Sequence, residues 1–282
     1  NLFGNKILTE GDTQIKARGT LDWGTMQETD FVAEVEAAGL GIPVAHMEGF
    51  RAVVTGAGPL VSVKEATFGL YQGSGQGEFS ILLDPKANGM PYEMDVKVEG
   101  ADFRKCLKFL RPEVDYKVSG VLSGNVHFEA DMTRGFFETA NGDGSLRVED
   151  GQLADLPFFS GFSRLMRKVI PGFNVFSITS LSGTFVFEEG VVRSPDAYFA
   201  GDVICAKAKG SYSKKTGFDA LVQGQVLSNR GLSKLVRVIT DPIFKFFEFK
   251  LGGALSEPSW RLEKLPGGTR PADAAKEGSE SG

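Results

Sequence analysis

Apolar and polar residues alternate at every second position over long stretches of this chain, and that alternation restricts the fold more than any other feature. In "YEMDVKV", residues 92–98, every second side chain from Tyr92 to Val98 is apolar and the three between them are charged. The stretch "YKVSGVLSGNVHFEA", residues 116–130, keeps the same period. A period of two is typical of a β-strand with one dry and one wet face, which is the pattern of antiparallel sheets.

Glycine-containing turn signals separate these strands. The chain has 36 Gly, and the acidic-glycine pairs Asp150-Gly151 and Glu189-Gly190 predict tight turns. The phrase "GSLRVEDG" that ends at Gly151 returns as "GTFVFEEG" ending at Gly190, so we interpret both as one repeated strand-and-turn unit. The predicted fold is therefore mainly β, a long twisted antiparallel sheet with a few short amphipathic helices.

Three segments show helical spacing of apolar residues. The first is "DFRKCLKFLRP", residues 102–112, with Asp102 as its predicted N-cap. The second is "DLPFFSGFSRLMRKVIPG", residues 155–172, in which Pro157 suits the first turn. The third is "NRGLSKLVRVITDP", residues 229–242, and the polar segment that follows at 264–282 predicts a disordered tail.

The sequence contains no recognisable catalytic motif. The two histidines, His46 and His127, lie in no metal-ligand spacing, and no CxxC pair occurs. The glycine-rich segment at 73–78 has Glu78 where a dinucleotide-binding loop needs its third Gly, and a strand follows it. We therefore expect no enzyme activity, no cofactor and no metal. The net charge of −5 argues against a nucleic-acid partner.

Cysteine usage leaves one question open. The only two, Cys106 and Cys205, are too few for a disulfide scaffold. We expect two buried thiols, with a single disulfide as the alternative.

The segments "GDGSLRVEDGQLADLPFFSGFSRLM", "LSGTFVFEEGVVRSPDAYFAGD", "FDALVQGQV" and "FKLGGALSEPSWRL" together resemble the C-terminal region of AsmA-like envelope proteins, a group that includes TamB-like and YhdP-like proteins. The resemblance covers roughly residues 102–262. It implies a sheet curled into a half-open, taco-like apolar groove that carries phospholipid between membranes and supports outer-membrane biogenesis or integrity. It also implies a periplasmic location in a Gram-negative-type bacterium, anchored to the inner membrane through an N-terminal part absent from this chain.

On this basis we expect residues 1–100 to continue a longer N-terminal sheet repeat and 101–263 to form the AsmA-like region. The candidate lipid-groove lining consists of apolar residues on the dry strand faces: Tyr92, Met94, Val96, Val98, Val118, Leu122, Val126, Phe128, Phe185, Phe187, Phe218 and Val222. The candidate membrane-contact or groove-capping residues lie in the second and third helices: Phe158, Phe159, Phe162, Arg164, Arg167, Lys168, Arg230, Lys234 and Arg237. Expected partners are a phospholipid or other acyl-chain lipid, a membrane surface and an envelope protein.

Other interpretations of the same pattern stay open at this point. The apolar faces can pack on one another as a closed core, since a sandwich covers its dry faces with a second sheet. The basic residues of the helices can be the solvated faces of capping helices. The chain can also be a non-catalytic periplasmic assembly scaffold that receives a partner strand at a sheet edge, or an adhesin or glycan-binding β-solenoid.

Overall fold

The computed structural model describes residues 8–42, 45–110, 114–169, 177–202, 204–226 and 246–264. This part of the chain contains fourteen strands: β1 (Leu8–Thr20), β2 (Asp30–Ile42), β3 (Ala45–Ala57), β4 (Leu60–Leu70), β5 (Gly73–Leu82), β6 (Pro91–Asp102), β7 (Ser119–Asp131), β8 (Asn141–Gln152), β9 (Ser180–Glu188), β10 (Val191–Ala200), β11 (Ile204–Ser213), β12 (Gly217–Val226), β13 (Phe246–Ala254) and β14 (Glu257–Lys264). Each strand is hydrogen-bonded to the next in chain order. The mainly-β antiparallel prediction is confirmed.

Three helices are described: α1 (Phe103–Leu110), α2 (Phe136–Thr139) and α3 (Pro157–Val169). The first follows the predicted capping, because the Lys105 N–H donates to the Asp102 carboxylate at 3.0 Å. The second predicted helix also forms, and Pro157 is its first residue. The short α2 has no counterpart in the prediction. The helix predicted at 229–242 and the tail from 265 lie outside the described residues.

The two acidic-glycine pairs differ in conformation. Glu189 and Gly190 both have positive φ, 49° and 77°, and connect β9 to β10 as a tight hairpin turn. The turn predicted at Asp150-Gly151 is wrong, because β8 continues to Gln152. Asp150 has a φ of 51° inside the strand, and the Gly151 N–H donates to the Thr179 carbonyl at 2.8 Å. The repeated phrase therefore ends in a hairpin once and in a continuing strand once.

The chain divides into two compact units. Unit 1 comprises residues 1–115, 121–146 and 186–190, and unit 2 comprises 116–120, 147–185 and 191–282. Unit 1 contains residues from both sides of position 100. The boundary that we predict between residues 1–100 and 101–263 stays a prediction.

An aromatic cluster fills the dry face of unit 1 near the start of β6. Tyr92 and Phe128 are cross-strand neighbours of this face and meet edge to face at 5.8 Å between ring centroids. The short α2 adds Phe136, whose ring lies 5.2 Å from that of Phe128. Ile81 completes the buried set beside Tyr92. Edge-to-face aromatic pairs of this kind are favourable beyond their apolar burial, so this part of the face is closed.

Helix α3 packs its aromatic side on the strands of unit 2. Phe159 and Phe162 are fully buried. The Phe162 ring lies 5.2 Å from Phe249 on β13 and 4.8 Å from Trp260 on β14. The indole N–H of Trp260 donates to the Phe158 carbonyl at 2.6 Å. This hydrogen bond gives the indole a partner inside an otherwise apolar contact, as buried Trp requires.

Candidate functional site

A transverse row of small and half-buried residues crosses four strands of unit 1. Ala66 on β4 pairs with Gly77 on β5, Gly77 pairs with Val96 on β6, and Val96 pairs with Val126 on β7. An open cavity of about 470 Å³ follows this row. The polar residues that flank the row in sequence complete its lining: Glu65, Thr67, Gln76, Glu78, Asp95, Lys97 and Asn125.

The next two rows of the same face are filled, which explains why the free space lies where it does. On one side Phe79, Met94 and Phe128 are paired in register and belong to the aromatic cluster. On the other side Phe68 lies over Gly75, and a Cβ at Gly75 would collide with the Phe68 ring. Between them Ala66 has only a methyl group, and Gly77 has no side chain, since a Cβ there would lie 2.5 Å from the Asp95 carbonyl oxygen. No large side chain therefore projects from β4 or β5 into this row.

Val96 and Val126 remain partly exposed in the row, although paired strands flank both of them. Val126 also packs against the aromatic cluster. Partly exposed valines on a face that is otherwise buried leave apolar surface facing the free space. The row therefore offers apolar contact beside the four charged residues of the lining, Glu65, Glu78, Asp95 and Lys97.

The opposite face of β6 and β7 is polar, as the alternation predicts. His127 is paired with Asp95, and its Nδ1 lies 3.1 Å from the Asp95 carboxylate. The hydrogen bond that the His127 ring donates to the Asp95 carboxylate raises the pKa of His127 above its ordinary value, with smaller contributions from Glu93 and Asp143. Lys97 forms an ion pair with Glu99 at 2.7 Å. These groups keep this face hydrated and leave apolar contact to the other one.

The predicted lining residues separate into two classes in the structure. Four are buried in closed packing: Tyr92, Val118, Phe128 and Val222. Eight are partly exposed: Met94, Val96, Val98, Leu122, Val126, Phe185, Phe187 and Phe218. Of the twelve, Val96 and Val126 line the open cavity. The structure thus brings together a smaller group than the alternation suggested, because aromatic side chains fill the adjacent row.

The predicted helix residues also separate. Phe159 and Phe162 are turned onto the strands of unit 2 and are fully buried. Phe158 is partly buried, and Arg164 is exposed. The side chains of Arg167 and Lys168, and all of Arg230, Lys234 and Arg237, lie outside the described residues.

Sequence reasoning missed Ala66 and Gly77, the two small residues of the row. Neither contributes to an apolar face as it is read from alternation. The glycine-rich segment at 73–78 was the available signal, because glycine inside a strand marks a close approach or an unfilled position. It forms the first six residues of β5.

Neither cysteine forms a disulfide, and both are partly buried. Burial raises the pKa of the Cys106 thiol to about 11, so this thiol is protonated at neutral pH and a poor nucleophile.

Among the described helices, none has the length and apolar composition needed to cross a bilayer. Comparison of the chain with protein-family models, curated proteins and solved structures found no match.

Proposed function

We propose that this chain is a non-catalytic lipid-binding module that holds acyl chains on the dry face of its sheet. The observation that carries the proposal is the open row Ala66–Gly77–Val96–Val126 between two filled rows of the same face. Its volume of about 470 Å³ falls within the roughly 300–1,000 Å³ of typical ligand pockets. An acyl chain gains about 0.8 kcal/mol for each methylene it buries, with no demand for polar partners.

The resemblance to AsmA-like proteins supports a more specific setting for this activity. In that setting the chain is part of a periplasmic bridge that carries phospholipid between the membranes of a Gram-negative-type envelope and supports the outer membrane. In this setting the bridge is anchored to the inner membrane. Its partners would be the phospholipid, a membrane surface and an envelope protein.

The exposed side of α3 supports contact with a membrane surface, although less directly than the open row supports lipid binding. Arg164 is exposed, whereas the aromatic side of the helix is buried on the strands. A basic residue near an anionic surface contributes about 1 kcal/mol. In this proposal α3 covers the sheet with its apolar side and offers only its basic side to lipid head groups.

Native mass spectrometry of the purified chain tests lipid binding, with Val126→Asp as the key variant. We expect the parent chain to carry co-purified phospholipid and Val126→Asp to carry several-fold less while remaining folded, because the new carboxylate reaches water through the open row. The control is Val186→Asp on β9, where the parent side chain is 49% exposed. It makes the same chemical change outside the row and should keep its lipid.

Two results would contradict the proposal. The first is a parent chain without lipid, even after incubation with phospholipid vesicles. The second is unfolding of Val126→Asp in a lipid-free parent, because a buried and unpaired charge unfolds a closed core.

A non-catalytic scaffold that receives a partner strand is the second candidate, and β1 favours it. Within the described residues β1 pairs only with β2, and Ile15 on it is 64% exposed. Trp23, just after β1, is 85% exposed. An edge strand that is paired on one side only and has exposed apolar side chains is a template for strand addition. Loss of partner capture in Ile15→Lys, together with a lipid-free parent chain, would favour the scaffold.

The antiparallel order of neighbouring strands gives the β-solenoid alternative no support.

A further inference from the structure

The polar face of β6 and β7 gathers metal-ligating side chains that are far apart in sequence. Glu93 on β6 lies directly opposite Glu129 on β7, and His127 is two residues from Glu129 on the same face. One ligand atom from each of Glu93, His127 and Glu129 lies within 4.8 Å of the other two. All three belong to unit 1. Strand pairing, and no local motif, creates this group.

We propose that Glu93, His127 and Glu129 bind one divalent transition-metal cation, with Zn²⁺ as the preferred ion. One imidazole nitrogen and two carboxylate oxygens are ligands that Zn²⁺ accepts in tetrahedral sites, leaving a fourth position open. The imidazole makes the set poor for Ca²⁺ and Mg²⁺, which require oxygen ligands.

The geometry needs only a small contraction to reach coordination distances. Bonds of about 2.0–2.2 Å to zinc place tetrahedral ligand atoms ~3.3–3.6 Å apart. Glu93 and Glu129 are exposed and His127 is partly exposed, so their side chains have room to rotate toward a common ion. Asp95 contacts Nδ1 of His127 at 3.1 Å. A carboxylate on one ring nitrogen commonly orients the other nitrogen toward a metal.

The local charge favours a cation. Glu93 and Asp95 on β6, Glu129 on β7 and Asp143 on β8 surround His127 with four carboxylates. Two like charges directly opposite on neighbouring strands destabilise the pair, and a shared cation removes that repulsion. Lys97, the nearest cation along β6, is paired with Glu99 at 2.7 Å.

A bound ion would join β6 and β7 behind the open row. His127 follows Val126, and Asp95 precedes Val96. The metal would therefore fix the register of the strand pair that supplies both valines of the cavity. This inference does not rest on lipid binding and can hold if the lipid proposal fails.

Isothermal titration calorimetry tests the site on the full chain, produced without a histidine tag and stripped of metal with EDTA. With ZnCl₂ we expect one ion per chain, and with CaCl₂ no comparable binding. His127→Asn should abolish the binding, and Glu129→Gln should weaken it by at least about tenfold. His46→Asn removes the other histidine of the chain, on β3, and should bind zinc as the parent does.

The pH dependence provides a second readout. Zinc binds the neutral imidazole and the ionised carboxylates, so protons compete with it for these ligands. Zinc affinity should therefore fall as the pH decreases. The proposal is overturned if the parent chain binds no zinc at micromolar concentration, or if His127→Asn and His46→Asn bind it equally. Circular dichroism of each variant identifies any that has unfolded. If His127→Asn is unfolded, the zinc affinity of Glu129→Gln decides whether the site exists.

Discussion

At the scale of single residues, the connection between β1 and β2 depends on one carboxylate. Asp22 accepts hydrogen bonds from the backbone N–H groups of Gly24 at 2.9 Å and Thr25 at 3.2 Å, and from the Thr25 hydroxyl. These bonds, led by the Thr25 hydroxyl, lower the pKa of Asp22 from 3.8 to about 2. The Asp22 N–H donates to Thr29, which is buried. A charged Asp22 therefore holds the loop between the two strands.

We expect the contribution of Asp22 to stability to disappear in acid. Its pKa is lower in the folded chain than in the unfolded one, so the stabilisation is complete above about pH 4 and is lost as the pH falls through about 2. Urea unfolding of the parent and of Asp22→Asn from pH 6 to pH 2 measures this. The parent should have the higher midpoint at pH 6, and the two should converge near pH 2. Asp12→Asn on exposed β1 is the charge-matched control. A gap that stays constant over the whole range would contradict the role of the ionised carboxylate.

The alternation predicted correctly which side chains of β6 and β7 face the polar side, but it could not locate the cavity. That location depends on Ala66 lying opposite Gly77, and this register follows an irregularity in β4. The pairing of β4 with β5 shifts between Val63 and Ala66, where Glu65 has a φ of 52°. A bulge adds a residue to one strand without changing the composition of either face. Period counting therefore cannot predict it.

At the scale of elements, α3 is a structural part of unit 2. Phe162→Ala should lower the free energy of unfolding by about 3–5 kcal/mol, because it removes a fully buried ring that contacts Phe199, Phe249 and Trp260. Phe137→Ala is the matched control, since the same side chain is 65% exposed there, and should cost less than about 1 kcal/mol. Urea unfolding measures both.

The same pair of variants separates capping from insertion of the aromatic face into a bilayer. If the apolar face of α3 inserts into lipid, Phe162→Ala would reduce vesicle binding and leave the urea midpoint unchanged. That result would contradict the packing of α3 on β13 and β14.

Helices α1 and α3 could be predicted because a capping residue or an N-terminal proline coincides with apolar spacing in each. Asp102 caps α1, and Pro157 begins α3. The four-residue α2 is too short to show a helical period, yet it delivers Phe136 to the aromatic cluster. The turn predicted at Asp150-Gly151 does not form for a related reason. The Gly151 N–H donates to the carbonyl of Thr179, and no local turn signal encodes such a contact between residues distant in sequence.

At the scale of the whole molecule, the prediction of a long antiparallel meander is confirmed by fourteen strands that pair in chain order. This succeeded because neighbouring antiparallel strands need only short connections, and the turn signals of the sequence mark them. What alternation could not decide is whether a dry face is closed by side chains or left open. Unit 1 has closed and open rows side by side within three adjacent rows, depending on where Phe68, Phe79 and Phe128 lie.

Site-specific photocrosslinking tests most directly whether the open row holds lipid. A photoreactive amino acid is placed at Val96 or Val126 in the row, or at the polar-face positions Glu93 or Glu129, and the chain is loaded from phospholipid vesicles. Each control position lies three residues away along the same strand, on its other face, and does not line the cavity. We expect phospholipid adducts at 96 and 126 and little or none at 93 and 129. Equal labelling at all four positions, or labelling only at 93 and 129, would contradict the central claim.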